Sequence, residues 1–203
     1  MAHGFLQYFD SNLYVRSAGT EASGKLNPNA VKVMAEIGID ISYHTSDPVD
    51  NYLDKEWDYI ITVCGGANEN CPAFMGKVKK RLHIGFDDPT YATGTEEFIS
   101  SEYLRVRDEI KREFYNLYIN EINPKLQDKS GEMVCFCKGI RRGSIENAKL
   151  QGAKTLKDIQ RLTGASTGNQ CKTYHPFGEC CSNRVKDIIG DTTNTKCCCG
   201  CNC

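Results

Sequence analysis

No cysteine occurs in the first 63 residues of this chain. A secreted disulfide framework does not usually leave so long a stretch without one, so the cysteines that follow are expected to work as thiols in a reducing compartment. No apolar run reaches the roughly 18 residues of a membrane-spanning helix candidate. The first ten residues lack the basic segment, long apolar core and small-residue cleavage site of a signal peptide. An excess of one charge is missing too. The formal net charge is -1 with 25% charged residues, so no global field draws the chain to nucleic acid or an anionic membrane. The expectation is a soluble, cytoplasmic protein without nucleic acid or membrane as partner.

What the chain does have is cysteine placed late and in clusters. Cys64 and Cys71 stand alone, and the other ten of the twelve fall between Cys135 and Cys203. They occur as Cys135-Phe136-Cys137, Cys171, Cys180-Cys181 and the terminal Cys197-Cys198-Cys199-Gly200-Cys201-Asn202-Cys203. Clustered thiols in a reducing compartment point to metal ligands or redox catalysis, and this spacing implies three separate thiol chemistries.

Residues 1–123 alternate strand and helix, the pattern of an α/β fold with a parallel sheet covered by helices. A buried strand is predicted at residues 13–18. A helix is predicted at residues 29–37, capped by Asn27, with Pro28 at its first position and Gly38 at its close. Residues 58–63 are the best strand in the chain and residues 80–84 another. Phe98, Val106, Ile110, Phe114 and Leu117 recur at helical spacing from Glu96 to about Ile122. Residues 124–132 read as a polar linker. Residues 133–190 form a small helical domain with helices at 144–151 and 155–162, the second opened by Thr155-x-x-Asp158. Its size suggests too small a core to stand without a metal or crosslinks. Residues 191–203 are a cysteine-rich tail.

Cys64 follows a buried strand directly, at the sheet edge where α/β proteins build their sites. The glycine-rich stretch to Cys71 suits a loop that moves as a disulfide forms and breaks. Spacing alone equally allows two unrelated cysteines, and Asp88 before Pro89 reads by itself as a turn former. The surrounding motifs add to this. Ser17-Ala18-Gly19, Ser42-Tyr43-His44-Thr45-Ser46-Asp47, Val63-Cys64, Asn70-Cys71-Pro72, Gly85-Phe86-Asp87-Asp88-Pro89 and Arg105-Val106-Arg107-Asp108-Glu109-Ile110 occur in that order. This resembles the thioredoxin-coupled arsenate reductases, which share the low-molecular-weight tyrosine phosphatase fold, and the resemblance covers residues 1–120. It implies a cysteine relay: a C-x5-R cysteine attacks arsenate, Cys64 releases arsenite, and Cys71 takes over the disulfide for thioredoxin to reduce. Asp88 matches the general acid. The main rival activity is that of a low-molecular-weight tyrosine phosphatase.

No C-x5-R occurs in residues 1–123; the single match to the pattern, Cys135 to Arg141, lies in the second domain. The first strand and phosphate loop of the fold are therefore expected to be missing, and the true start to lie on the order of 15–20 residues upstream of Met1. The chain as given is expected to be inactive.

Met133-Val134-Cys135-Phe136-Cys137, then Gly152-Ala153-Lys154-Thr155-Leu156-Lys157-Asp158-Ile159, then residues 163–171 ending at Cys171 resemble the bacterioferritin-associated ferredoxin module. The resemblance implies a [2Fe–2S] cluster for electron transfer or sensing, held by Cys135, Cys137, Cys171 and Cys180, with Cys181 as the alternative fourth ligand. A four-thiolate zinc site is the rival by ligand type, and a non-enzymatic iron–sulfur or metal-binding protein is the rival by function. His175 is expected to be solvated. His44 and His83 are expected to serve local hydrogen bonds. The basic run from Lys77 to Arg81 is expected to be a solvated face, and the tail from Cys197 to Cys203 suits soft metals or trivalent arsenic.

Overall fold

A short helix, α1, spans Ala2–Phe9 in the computed structural model, which describes residues 1–64 and 75–193. Cys71 and the cysteines from 197 to 203 lie outside the described residues. The second helix, α2 (Pro28–Ala35), starts where the Asn27 side chain accepts the N–H of Asn29 at 2.9 Å. Pro28 sits in its first turn, where a missing N–H costs nothing. The helix closes in a Schellman motif: Gly38 N–H reaches Ala35 O at 2.9 Å and Ile39 N–H reaches Met34 O at 3.1 Å. Gly38 stands at φ 73°, a left-handed conformation that glycine takes without strain.

The strand expected at residues 13–18 is reduced to Ala18–Gly19 (β1), paired in parallel with Asp47–Pro48 (β2). Pro48 has no N–H with which to extend the ladder, and Tyr14 is 65% exposed, so no buried face selects an extended strand here. Strands form where expected at residues 58–63 and 80–84, both longer than predicted, but the run before Cys64 is not buried as expected: residues 57–63 are partly buried or exposed. The two strands are β3 (Trp57–Cys64) and β4 (Val78–Phe86), parallel, with Trp57 opposite Val78 and Cys64 opposite Phe86. The ends of both strands therefore share one carboxyl edge.

The long helix α3 (Glu96–Leu117) continues through one π turn, Tyr118–Ile122, into a 3₁₀ turn, Asn123–Lys125, that contains Pro124. Val106, Ile110, Phe114 and Leu117 are buried as the periodicity predicts. Phe98 is not: it is half exposed in the first turn, beside Gly94, which has no side chain to cover it.

The chain divides into two units. One holds Met1–Gly4 and the described residues of Val15–Glu113; the other holds Phe5–Tyr14 and the described residues from Phe114 onward. In the second unit β5 (Met133–Cys135) and β6 (Ile140–Arg141) make a short antiparallel pair. Four helices follow: α4 (Arg142–Leu150), α5 (Leu156–Thr163), α6 (Cys171–Tyr174) and α7 (Ser182–Ile189). The α5 start carries the predicted capping box, Thr155 and Asp158 each bonding the other's backbone N–H.

The second unit also has the core that its size argued against. Val134, Ile145, Leu156, Ile159, Val185 and Ile189 are buried together with Cys135 and Cys181. Each fully buried aliphatic side chain contributes about 1.5–3 kcal/mol. Aromatic residues add to it: Phe136 packs against Tyr8, Phe9 and Tyr115, with ring centroids 6.0, 6.3 and 5.6 Å away. Residues 5–14 and the end of the long helix thus enlarge the unit beyond the length of chain that follows Glu132. Glu132 itself, at the end of a stretch read as linker, is 1% exposed. Its carboxylate accepts Arg142 Nε at 2.7 Å and Asn123 Nδ2 at 3.1 Å, and also pairs with Arg184. Asp10, fully buried, accepts the Tyr118 hydroxyl at 3.0 Å.

Candidate functional site

In the first unit two of the sequence motifs, Val63-Cys64 and Gly85-Phe86-Asp87-Asp88-Pro89, lie at the carboxyl edge of β3 and β4. Cys64 ends β3, and its backbone lies opposite Phe86, the last residue of β4. Asp88 stands two residues beyond Phe86, exposed, at the start of the 3₁₀ turn Pro89–Tyr91. Its Oδ1 accepts both the backbone N–H of Thr90 (2.9 Å) and the Thr90 hydroxyl (2.7 Å), which fixes the carboxylate. Arg105 from α3 holds the neighbouring Asp87 at 3.0 Å and Glu102 at 2.9 Å. Parallel pairing thus brings the Cys64 backbone and the Asp88 loop to one edge, while Cys71 lies outside the described residues.

The other two motifs of this unit also meet. His3 Nδ1 is 3.1 Å from Ser17 Oγ, and the His3 and His44 rings lie 4.1 Å apart. Burial, then the proximity of His44 and Arg16, pushes His3 down to about 4. Burial also lowers His44. Asp47 accepts the Tyr52 hydroxyl at 2.5 Å, and this bond, with a second from Thr45, lowers its carboxyl. His83 Nδ1 sits 2.7 Å from Thr62 Oγ1, a local bond as expected. In the basic run, Lys77 pairs with Glu56 at 3.6 Å and Lys79 with Asp58, all four well exposed.

The second unit carries the denser chemistry. Cys135 ends β5 and points into the core, while Cys137 lies in the 3₁₀ turn Phe136–Lys138 that follows. Phe136, between them, is anchored among the aromatic rings, so the C-x-C loop is held from both sides. Cys137 Sγ is 3.9 Å from Cys135 Sγ and 3.9 Å from Cys171 Sγ, at the start of α6. Cys181 hydrogen-bonds to Cys135, completing a chain of four sulfurs. The bond received from Cys181 draws the Cys135 thiol down to about 6, against the opposing effect of burial. As donor in that bond, and buried as well, Cys181 is pushed up. Burial and then the nearby Cys135 raise Cys137.

Cys180 takes a different direction. Its Sγ lies 3.1 Å from Ser182 Oγ, and Cys181, its neighbour, is the one that joins the group. Backbone donors surround the sulfurs: Ser166 N–H reaches Cys135 Sγ at 3.4 Å. Gly168 closes the cradle, since a Cβ there would stand 2.6 Å from Cys137 Sγ.

His175, expected in solvent, is buried instead. Its ring meets Phe136 edge-on at 4.7 Å and Tyr115 at 5.6 Å. Nδ1 accepts the backbone N–H groups of Phe177 (3.1 Å) and Glu179 (3.3 Å), so that lone pair is already used. Turn residues around a histidine in an inserted loop carry no periodic signal of burial, which is why sequence reasoning missed it.

Comparison with known proteins now adds to this geometry. The model of the low molecular weight phosphotyrosine protein phosphatases matches residues 5–128. The chain belongs to this family. A second model, that of BFD-like [2Fe-2S] binding domains, matches residues 133–191 and covers the four-sulfur group. Among this phosphatase-family chain's relatives is the arsenate reductase of Halalkalibacterium halodurans, 50% identical over 111 residues, 54% of this chain and 78% of the relative. The arsenate reductase of Bacillus subtilis is 51% identical over the same shares. A solved structure described as an arsenate reductase in oxidized state is 28% identical, covers 58% of this chain and 85% of its own, and gives a TM-score of 0.49. No described helix is long and apolar enough to cross a membrane.

Proposed function

We propose that this phosphatase-family chain serves the reduction of arsenate to arsenite through a cysteine relay, and that its second unit holds a [2Fe–2S] cluster. The observation that carries the first half is the half-identity over 111 residues to proteins named arsenate reductase, beside a family match over residues 5–128 that contains Cys64, Cys71 and Asp88. We assign Cys64 and Cys71 the second and third positions of the relay, and Asp88 the acid. Within residues 5–128 neither cysteine begins a C-x5-R, so the first position of the relay is assigned to no residue of that stretch.

In this relay the Cys64 thiolate attacks the sulfur of an arsenylated cysteine. A disulfide forms, the As–S bond breaks with its electron pair, and arsenic(V) leaves as arsenite. Asp88 gives a proton to the oxygen that departs when arsenate first adds. Cys71 then attacks Cys64, frees the first cysteine, and the Cys64–Cys71 disulfide goes to a dithiol reductant such as thioredoxin. These steps need reduced thiols, which suits the cytoplasm.

The second half rests on the donor set. Cys135, Cys137, Cys171 and Cys181 would hold the cluster, with the Ser166 amide donating to one sulfur and Gly168 leaving room beside another. Bound there, a [2Fe–2S] cluster supplies one-electron transfer.

The assay fuses a designed strand and C-x5-R loop to the N-terminus of this chain. Arsenite release with thioredoxin is expected, and Cys64→Ser or Cys71→Ser should each stop multiple turnover. Phosphomonoester hydrolysis that survives both changes, with no arsenite released, would establish the phosphatase reading instead. For the second unit, iron and acid-labile sulfide in equal amounts are expected, lost in Cys181→Ser and kept in Cys180→Ser. Stoichiometric zinc without sulfide would overturn the cluster.

A further inference from the structure

Ser166 is the one non-glycine residue with a left-handed backbone among the described residues, at φ 61°. It is 1% exposed. An L-residue pays of order 1–3 kcal/mol for such a conformation, and glycine would not. The conformation aims the Ser166 N–H at Cys135 Sγ, 3.4 Å away. A glycine would deliver the same N–H, so the serine is explained by its hydroxyl. Ser166 Oγ lies 2.6 Å from Ser182 Oγ, both groups buried. Ser182 opens α7 directly after Cys181. Gln160 Nε2 secures the same turn by donating to Ser166 O at 3.0 Å.

The hydroxyl pair therefore ties two sulfur-bearing segments together. On one side is the loop whose amide donates to Cys135; on the other is the helix start that carries Cys181. We infer that Ser166 and Ser182 are positioning residues that act as one device, holding the amide on the Cys135 sulfur and so raising the reduction potential of the bound cluster. This rests on the reading of the second unit as a [2Fe–2S] site. Hydrogen bonds to ligand sulfurs are a principal determinant of such potentials, because they withdraw charge that the oxidised cluster needs more. Without the hydroxyl link, the left-handed turn keeps its strain and loses its tie, and the amide moves off the sulfur.

The 203-residue chain reconstituted with iron and sulfide provides the test. Ser166→Ala, which keeps the strain and loses the hydroxyl, and Ser182→Ala should each lower the midpoint potential without changing iron content. The double variant should shift it no further than the larger single change, since the two hydroxyls act as one unit. Potentials equal to that of the unaltered protein at full iron content, or shifts that simply add, overturn the inference. A merely structural role would change thermal stability and leave the potential where it was. The unaltered protein gives a second measurement that needs no variant: with ¹⁵N-serine label, pulsed EPR of the reduced cluster should show a coupled serine nitrogen, and its absence overturns the inference. Failure of the underlying reading looks different, because the unaltered chain would then bind no iron with sulfide at all.

Discussion

A Cβ on Gly168 would stand 2.6 Å from the Sγ of Cys137. Real Cβ atoms do not approach so closely, and the sulfur cannot retreat without leaving Cys135 and Cys171, each 3.9 Å away. Gly168→Ala is expected to cut iron and sulfide content at least several-fold while far-ultraviolet circular dichroism stays that of a folded chain. Full cluster content in this variant would mean that the four sulfurs are not where the cluster sits.

Glu132 is the most consequential carboxylate of the second unit. It is 1% exposed and shared by two guanidinium groups that are themselves only partly covered. Removing one partner of a fully buried pair costs about 3–5 kcal/mol. Partial exposure of Arg142 and Arg184 reduces this, so Glu132→Gln is expected to cost about 2–3 kcal/mol in urea unfolding. Arg184→Met should cost less, since Arg142 continues to neutralise the carboxylate.

Protonation of His3 should weaken the fold in acid. Its folded value is lowered from the ordinary 6.5 to about 4, first by burial. The unfolded chain therefore binds more protons between those values, and stability must rise with pH there. The contribution is fully present above about 6.5 and is lost as pH falls towards about 4, with solvent screening holding it below about 3 kcal/mol. An NMR titration should find the His3 ring still neutral at pH 5. His3→Gln should flatten that part of the stability curve.

The capping box of α5 offers a smaller, cleaner measurement. Thr155→Ala removes the acceptor for Asp158 N–H and should cost about 1 kcal/mol, whereas Thr155→Ser should be close to neutral. Equal losses in both variants would assign the effect to packing of the threonine methyl.

Local signals account for most of what was legible beforehand. Asn27-Pro28 and Thr155-x-x-Asp158 place helix starts because a cap needs only its own few residues. The apolar run before Cys64 places β3 for the same reason. Phe98 shows the limit, since helical spacing says which residues share a face but not how far along that face something packs. Residues 13–18 show another: a strand requires a partner, and here Pro48 ends the pairing after two residues.

The amino-acid sequence by itself determined which chemistries this protein carries: thiols at Cys64 and Cys71, a C-x-C loop with later cysteines, and a tail rich in the same residue. The tertiary structure decided which atoms meet. It set Cys181 against Cys135 while Cys180 faces Ser182, although the two are adjacent in the chain and indistinguishable by type. It buried His175 and Glu132, which composition assigns to solvent. The physical reason is that residue type and spacing encode local conformation and chemical potential. Distance between segments far apart in sequence arises only when a common core forces them together.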